Sequence, residues 1–173
     1  MQSDEALAVR VADGDEPALR ELLRRYERPL ASFLHRQTGG RDVEDLYQET
    51  WLRVVRHADR FDAGRRFSTW LFQIAVNLCR DWHRRPPPEP RTLEDEPSAG
   101  ELERSDATLD AARLLARLPE GQREVVVLRY FHDLSEDDVA AILDIPKGTV
   151  KSRMHQAIAR LASLVDAEQG GGA

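Results

Sequence analysis

Between Pro86 and Ala107 the chain carries five of its nine prolines, together with Ser98, Gly100 and Ser105. Proline lacks the amide hydrogen that helices and sheets need. A stretch this polar cannot bury enough surface to offset the entropy of ordering it. The segment reads as a flexible, partly extended, acidic tether, residues 86–107, dividing the 173-residue chain into two short pieces that must each build a core. Those pieces are residues 1–85 and 108–166, and residues 167–173, with Gly170-Gly171-Gly172, read as a disordered tail.

In the first piece Ser3 can cap a helix over Asp4 to Ala12, with acids in its first turn, and Gly14 ends it. Asp15 can cap the next, with Pro17 in its first turn. Ala18, Leu19, Leu22, Leu23, Tyr26, Leu30, Phe33 and Leu34 then recur at helical spacing, and Pro29 should kink or break that helix. After Gly39-Gly40, Asp42 opens a third helix to about His57, with Val43, Leu46, Tyr47, Thr50, Trp51, Val54 and Val55 inward. A loop from Arg60 to Phe67 leads to a fourth helix, capped by Ser68 and running to about Arg84, with Trp70, Leu71, Ile74, Ala75 and Leu78 inward. Four amphipathic helices suffice for a compact bundle.

The second piece offers helices over Thr108 to Leu118 and Gly121 to Phe131, separated by Pro119. Ser135 and Asp138 form a capping-box pattern for a further helix. The last helix runs from about Lys147 to Val165. The fold class is therefore all-α, two small helical domains on a flexible acidic, proline-rich linker. Leu134 to Leu161 has the parts of a helix-turn-helix. Ala140 is small where the helices cross, Asp144 tolerates a left-handed turn, and Ile145 and Val150 plug the angle. The second helix then exposes Lys147, Lys151, Ser152, His155 and Gln156, residue types that bond phosphates and base edges in a major groove. An ordinary helical hairpin with a solvated charged face is the alternative.

A net charge of −6 argues against nucleic-acid binding only until its distribution is read. From Pro86 to Asp110 there are eight acids against two arginines, which accounts for the whole excess. From Pro146 to Val165 there are four basic residues and no acid. The acidic N-terminal residues do not resemble a signal peptide, and no apolar run approaches a membrane span, so a cytoplasmic location without membrane insertion is expected. A single cysteine, Cys79, excludes an internal disulfide and reads as buried and structural. The five histidines show no metal or triad spacing and there is no glycine-rich phosphate loop, so no enzyme, metal or cofactor is expected.

Two surfaces of the first piece invite partners. Phe61, Phe67, Trp70, Phe72 and Trp82 alternate with Arg60, Arg65, Arg66, Arg80, Arg84 and Arg85, a mixture that suits single-stranded nucleic acid unless the aromatics are core. Asp42, Glu44, Asp45, Gln48 and Glu49 form an acidic stripe, either a solvated face or a docking face.

Taken in order, RYERPLASFL, DVEDLYQETWLRVVR, RFDAGRRFSTWLFQIAVNLCRDWHRR and LPEGQREVVVLRYFHDLSEDDVAAILDIPKGTVKSRMHQAIARL resemble regions 2 and 4 of the extracytoplasmic-function (ECF, group 4) bacterial sigma factors, of the sigma-70 family. The resemblance covers nearly the whole chain outside the tether and tail. It implies a dissociable initiation factor that binds core RNA polymerase, at the beta-prime clamp coiled coil and the beta flap, and promoter DNA, with an anti-sigma factor as a further partner. It implies docking on polymerase by Asp45, Gln48 and Glu49. It implies minus-10 recognition and melting by Phe61, Arg65, Arg66, Phe67, Asn77, Arg80 and Arg84, with an unpaired base flipped into a pocket. At the minus-35 element it implies Lys147, Thr149, Lys151, Ser152, Arg153, His155 and Gln156. His155 and Gln156 stand where aromatic and arginine residues are common in the family, and Asp144 where glycine is usual. A free-standing helix-turn-helix regulator, binding duplex DNA without polymerase, is the competing reading; it leaves both surfaces of the first piece without a task.

Overall fold

The computed structural model describes residues 2–86 and 106–170. Among them all regular structure is helical: α1 (Asp4–Ala12), α2 (Glu16–Thr38), α3 (Val43–Arg56), α4 (Phe67–Arg84), α5 (Asp106–Ala116), α6 (Glu120–Val126), α7 (Glu136–Leu143) and α8 (Lys147–Gly170). A short 3-10 turn, Ala58–Arg60, follows α3, and a π-helical turn, Val127–Phe131, continues α6. Most of the expected tether and the last three residues lie outside the described residues. The tail expectation fails for residues 167–170, because α8 continues to Gly170.

Local chemistry sets the first two starts: Ser3 Oγ accepts from the Ala6 amide, and Asp15 Oδ1 from the Ala18 amide. α2 runs through Pro29 without the expected break. A proline inside a helix costs about 3 kcal/mol. Leu22, Leu30, Phe33 and Leu34 on the same helix are completely buried, and four such side chains contribute roughly 6 kcal/mol or more. Burial wins over the local penalty.

The two expected caps for α3 and α4 are corrected. Asp42 stands before α3 with a left-handed backbone (φ 53°) and makes no capping hydrogen bond. Its Oδ2 accepts instead from Trp82 Nε1 at 2.8 Å. Ser68 lies inside the first turn of α4, which begins at Phe67. The amide of Phe67 donates to Glu5 Oε1 of α1 at 3.1 Å, so a carboxylate from another helix does the capping. That bond is the main cause holding the Glu5 carboxyl below its ordinary range.

The two bundles are packed together. α4 lies against α7, while α2 meets α5 and the π-helical turn. At the seam Phe33, Phe72 and His132 form one ring cluster, with centroids 5.1 to 5.9 Å apart. Gln73 Nε2 donates to the Ala141 carbonyl at 3.2 Å, and Arg36 lies over the Phe131 ring. Cys79 is buried as expected, and burial pushes its thiol up to about 12.

Candidate nucleic-acid interface

The helix-turn-helix is built as its residues suggest. Ser135 Oγ accepts from the Asp138 amide at 3.1 Å and Asp138 Oδ2 from the Ser135 amide at 3.2 Å, closing a reciprocal capping box at the start of α7. Asp144 ends α7 with φ 53° and ψ 50°, the left-handed turn its side chain tolerates. Val139, Ile142 and Leu143 of α7 bury against Val150 and Ala157 of α8.

This seating leaves Lys147, Lys151, Ser152, His155 and Gln156 exposed along the N-terminal half of α8. Lys147 pairs with Asp137 at 3.0 Å and Lys151 with Glu136 at 3.7 Å. Exposed pairs of this kind contribute about 1 kcal/mol at most, so a DNA phosphate can displace either acid. Two members of the expected set are less free. Thr149 is half-buried, and its carbonyl accepts from Ser152 Oγ. Arg153, also half-buried, lies against α6: a Cβ on Gly121 would stand 2.9 Å from Arg153 Nη1. Its guanidinium is thus turned toward α6.

The loop before α4 and α4 itself hold the second set. Phe67 is completely buried among Tyr26, Trp51, Phe61 and Trp70, at centroid distances of 5.4 to 6.5 Å, so the expectation that it touches DNA is corrected to a core role. The alternation of aromatics and arginines concealed this, since position 67 opens the helix on its inward side. Phe61 is half-buried over Trp70, while Arg65 and Asn77 are exposed. Among the described residues Arg84 pairs with its neighbour Asp81, at 3.3 Å on the surface. Arg66 and Arg80 are taken by the other bundle. Arg66 Nη1 reaches Asp138 Oδ2 at 3.0 Å, and Arg80 makes a two-point pair with Glu124.

The acidic stripe lies on α3, with Asp45 and Gln48 exposed and Glu49 half-buried beside Arg53 at 2.9 Å. Leu52 and Val55 continue the face, at 56% and 46% exposure. Val55 faces outward, against the inward place its spacing predicts, and Leu52 carries no sequence signal because a lone exposed leucine is ordinary until its helix face is known. On the C-terminal bundle an apolar groove of about 300 Å³ is lined by Leu114, Leu115, Tyr130, Phe131, Met154 and Ile158.

Comparison with known proteins accounts for both bundles. The Sigma-70 region 2 family matches residues 22–86, and the Sigma-70, region 4 family matches residues 108–161. The ECF RNA polymerase sigma-E factor of Haemophilus influenzae is 32% identical over 172 residues, covering 90% of this chain and 91% of that protein. This chain belongs to the ECF sigma factors. The sigma-E factor of Escherichia coli K12 is 33% identical, with 90% of each chain covered. Among solved structures, CnrH in complex with the cytosolic domain of CnrY superimposes with a TM-score of 0.75 at 31% identity, covering 96% of this chain and 99% of that one. The sigma factor RpoE of Bartonella quintana, in complex with the anti-sigma factor NepR, gives 0.68 at 26% identity, covering 85% and 96%. As a sigma factor the chain directs transcription initiation. No helix among the described residues is long and apolar enough to cross a membrane, and none of those residues form a group of three or more metal-ligating side chains.

Proposed function

We propose that residues 1–85 of this sigma factor grip core RNA polymerase and read and melt the minus-10 element, that residues 108–166 read the minus-35 element, and that residues 86–107 tether the two. The observation that carries the assignment is the exposed, acid-free N-terminal half of α8 behind a left-handed Asp144. Asp45, Gln48 and Glu49, extended by Leu52 and Val55, form the face for the beta-prime coiled coil, and the groove beside Tyr130 and Ile158 takes the beta flap. Arg65, Arg66, Asn77, Arg80 and Arg84 serve the minus-10 strand, with Phe61 offering a ring edge for a flipped base. The protein catalyses no reaction itself and works in the cytoplasm. An anti-sigma factor is a further partner, supported by the complexes in which its structural relatives were solved.

The packed arrangement is not the reading one. The element names place their centres 25 base pairs apart, about 85 Å along B-form DNA at 3.4 Å per pair. Here Arg66 of the minus-10 set touches Asp138 of the helix-turn-helix at 3.0 Å. The bundles must part on the promoter. A tether of 22 residues spans at most about 75 Å when fully extended. That reach suffices once the bundles' own widths are added.

The test is run-off transcription with core polymerase, comparing the native chain with Asn77→Ala. Promoter-specific initiation is expected, with Asn77→Ala slowing strand opening, read by permanganate reactivity, more than closed-complex binding. Tight binding to a palindrome without polymerase, and no initiation from any promoter, would establish the free-standing regulator instead.

A further inference from the structure

At the seam a cleft of about 420 Å³ opens between the C-terminal end of α2, the end of α4 and the α5–α6 corner. Its lining includes Arg36, Gln37, Arg41, His83 and Arg123, and among the described residues no carboxylate. Arg123 is 8% exposed and pairs with no described carboxylate. Its Nε donates to Gln37 Oε1 over a long 3.4 Å, and its Nη2 lies 3.2 Å from His83 Nε2. That same ring nitrogen is 3.0 Å from the Gln37 carbonyl. It cannot donate to the carbonyl and accept from the guanidinium at once. Gln37 itself is 2% exposed, with Nε2 lacking any partner among the described residues.

A buried guanidinium without an anion is costly. Burial pushes the Arg123 pKa down, yet an arginine stays charged. The other two cations are held in place by rings: Arg36 lies 4.1 Å from the Phe131 centroid and Arg41 4.8 Å from that of Trp82. Neither pairs with a described carboxylate, and among the described residues the Arg36 guanidinium bonds to Ser32. Against these three cations stand Glu120, which acts on Arg123 and His83, Glu124, which acts on Arg123 but is held in its pair with Arg80, and the α2 C-terminus, worth about half a negative charge. Among the described residues the cleft stays positive. Guanidinium forks match the paired oxygens of phosphates, and the volume is that of a small-molecule site.

We propose that this cleft binds a small diphosphate-bearing anion. Its walls come from both bundles, so the occupant is held only while they are packed together, and binding favours the closed arrangement by its whole affinity for that state. The site uses none of the promoter-reading residues and stands apart from that assignment.

The experiment is isothermal titration of the full-length chain with inorganic pyrophosphate, against sulfate at matched ionic strength, with small-angle scattering in parallel. Saturable binding of pyrophosphate is expected, at least tenfold tighter than sulfate and weakened at least tenfold by Arg123→Gln. Because Arg123 is buried and its loss can disturb the seam, the exposed variant Arg41→Gln decides: it should keep the native melting temperature and bind at least fivefold more weakly. Equal binding of the two anions, or native affinity in Arg41→Gln, would mean an adventitious ion only and overturn the site. A radius of gyration that rises on saturation would overturn the link to closure.

Discussion

Arg80 and Glu124, 44 residues apart in sequence, meet in a two-point ion pair across the seam, Nε to Oε1 at 2.7 Å and Nη2 to Oε2 at 2.9 Å. Glu124 keeps only 4% of its side chain exposed, and Arg80 25%. The hydrogen bond to Glu124 is the main cause raising the Arg80 pKa. The pair withdraws a residue of the proposed minus-10 surface from any nucleic acid while the bundles stay together.

Breaking such a pair from the Glu124 side leaves Arg80 able to reach water, so the cost lies at the lower end of the range for buried pairs, about 3 kcal/mol. Glu124→Ala should raise hydrogen exchange of the seam amides of α4 and α7 about a hundredfold while each bundle keeps its own protection. Unchanged seam exchange would show that the pair does not hold the bundles together.

Acid should open the seam. His132 packs against Phe33 and Phe72, with Arg36 its charged neighbour, and burial, then that charge, pushes its pKa from 6.5 down to about 4. The closed form thus prefers neutral His132. Its stabilisation is complete above pH 6.5 and is lost as the pH falls from there toward 4, by up to about 3 kcal/mol. Scattering between pH 7 and 4 should show expansion in that window, and His132→Phe should flatten the part that carboxylates do not explain. The same profile in both proteins would remove His132 from the account.

Lys151→Ala should weaken binding of holoenzyme to a minus-35 duplex about equally across sequences, and lower the slope of log affinity against log salt by about one. A slope identical to the native one means that Lys151 does not reach a phosphate.

Gln48→Ala combined with Glu49→Ala should lower affinity for core polymerase about tenfold, near 1.4 kcal/mol. Leu52→Ser should do the same through lost apolar contact, without affecting the melting temperature, since Leu52 is 56% exposed. Fluorescence anisotropy with labelled sigma factor measures both. Native affinity in all three substitutions would place the docking face elsewhere.

The elements that could be read from sequence depend on neighbours a few residues away. Asp15, the Ser135–Asp138 box and the turn at Asp144 behave as their side chains dictate, because each bond closes within one helical turn. What escaped reading depends on distant partners. Glu5 caps a helix 62 residues later, Asp42 is drawn off its cap by Trp82 40 residues on, and Pro29 is carried through its helix by burial of residues around it. The exposure of Lys147 and Lys151 was legible because it follows from the helix-turn-helix itself. Phe67 was not, since composition cannot tell a stacking ring from a core ring, and no local pattern foretold that Arg66 and Arg80 would be claimed by acids of the other bundle.

Gly121 sits under the guanidinium of Arg153, where even a methyl group would stand 2.9 Å from Nη1. The absent side chain leaves room for that guanidinium between α6 and α8. An alanine there would meet only the far end of a flexible side chain, so the Arg153 guanidinium would swing aside while α8 kept its place. A single methyl group at position 121 would therefore decide whether Arg153 stays parked on α6 or turns out toward solvent.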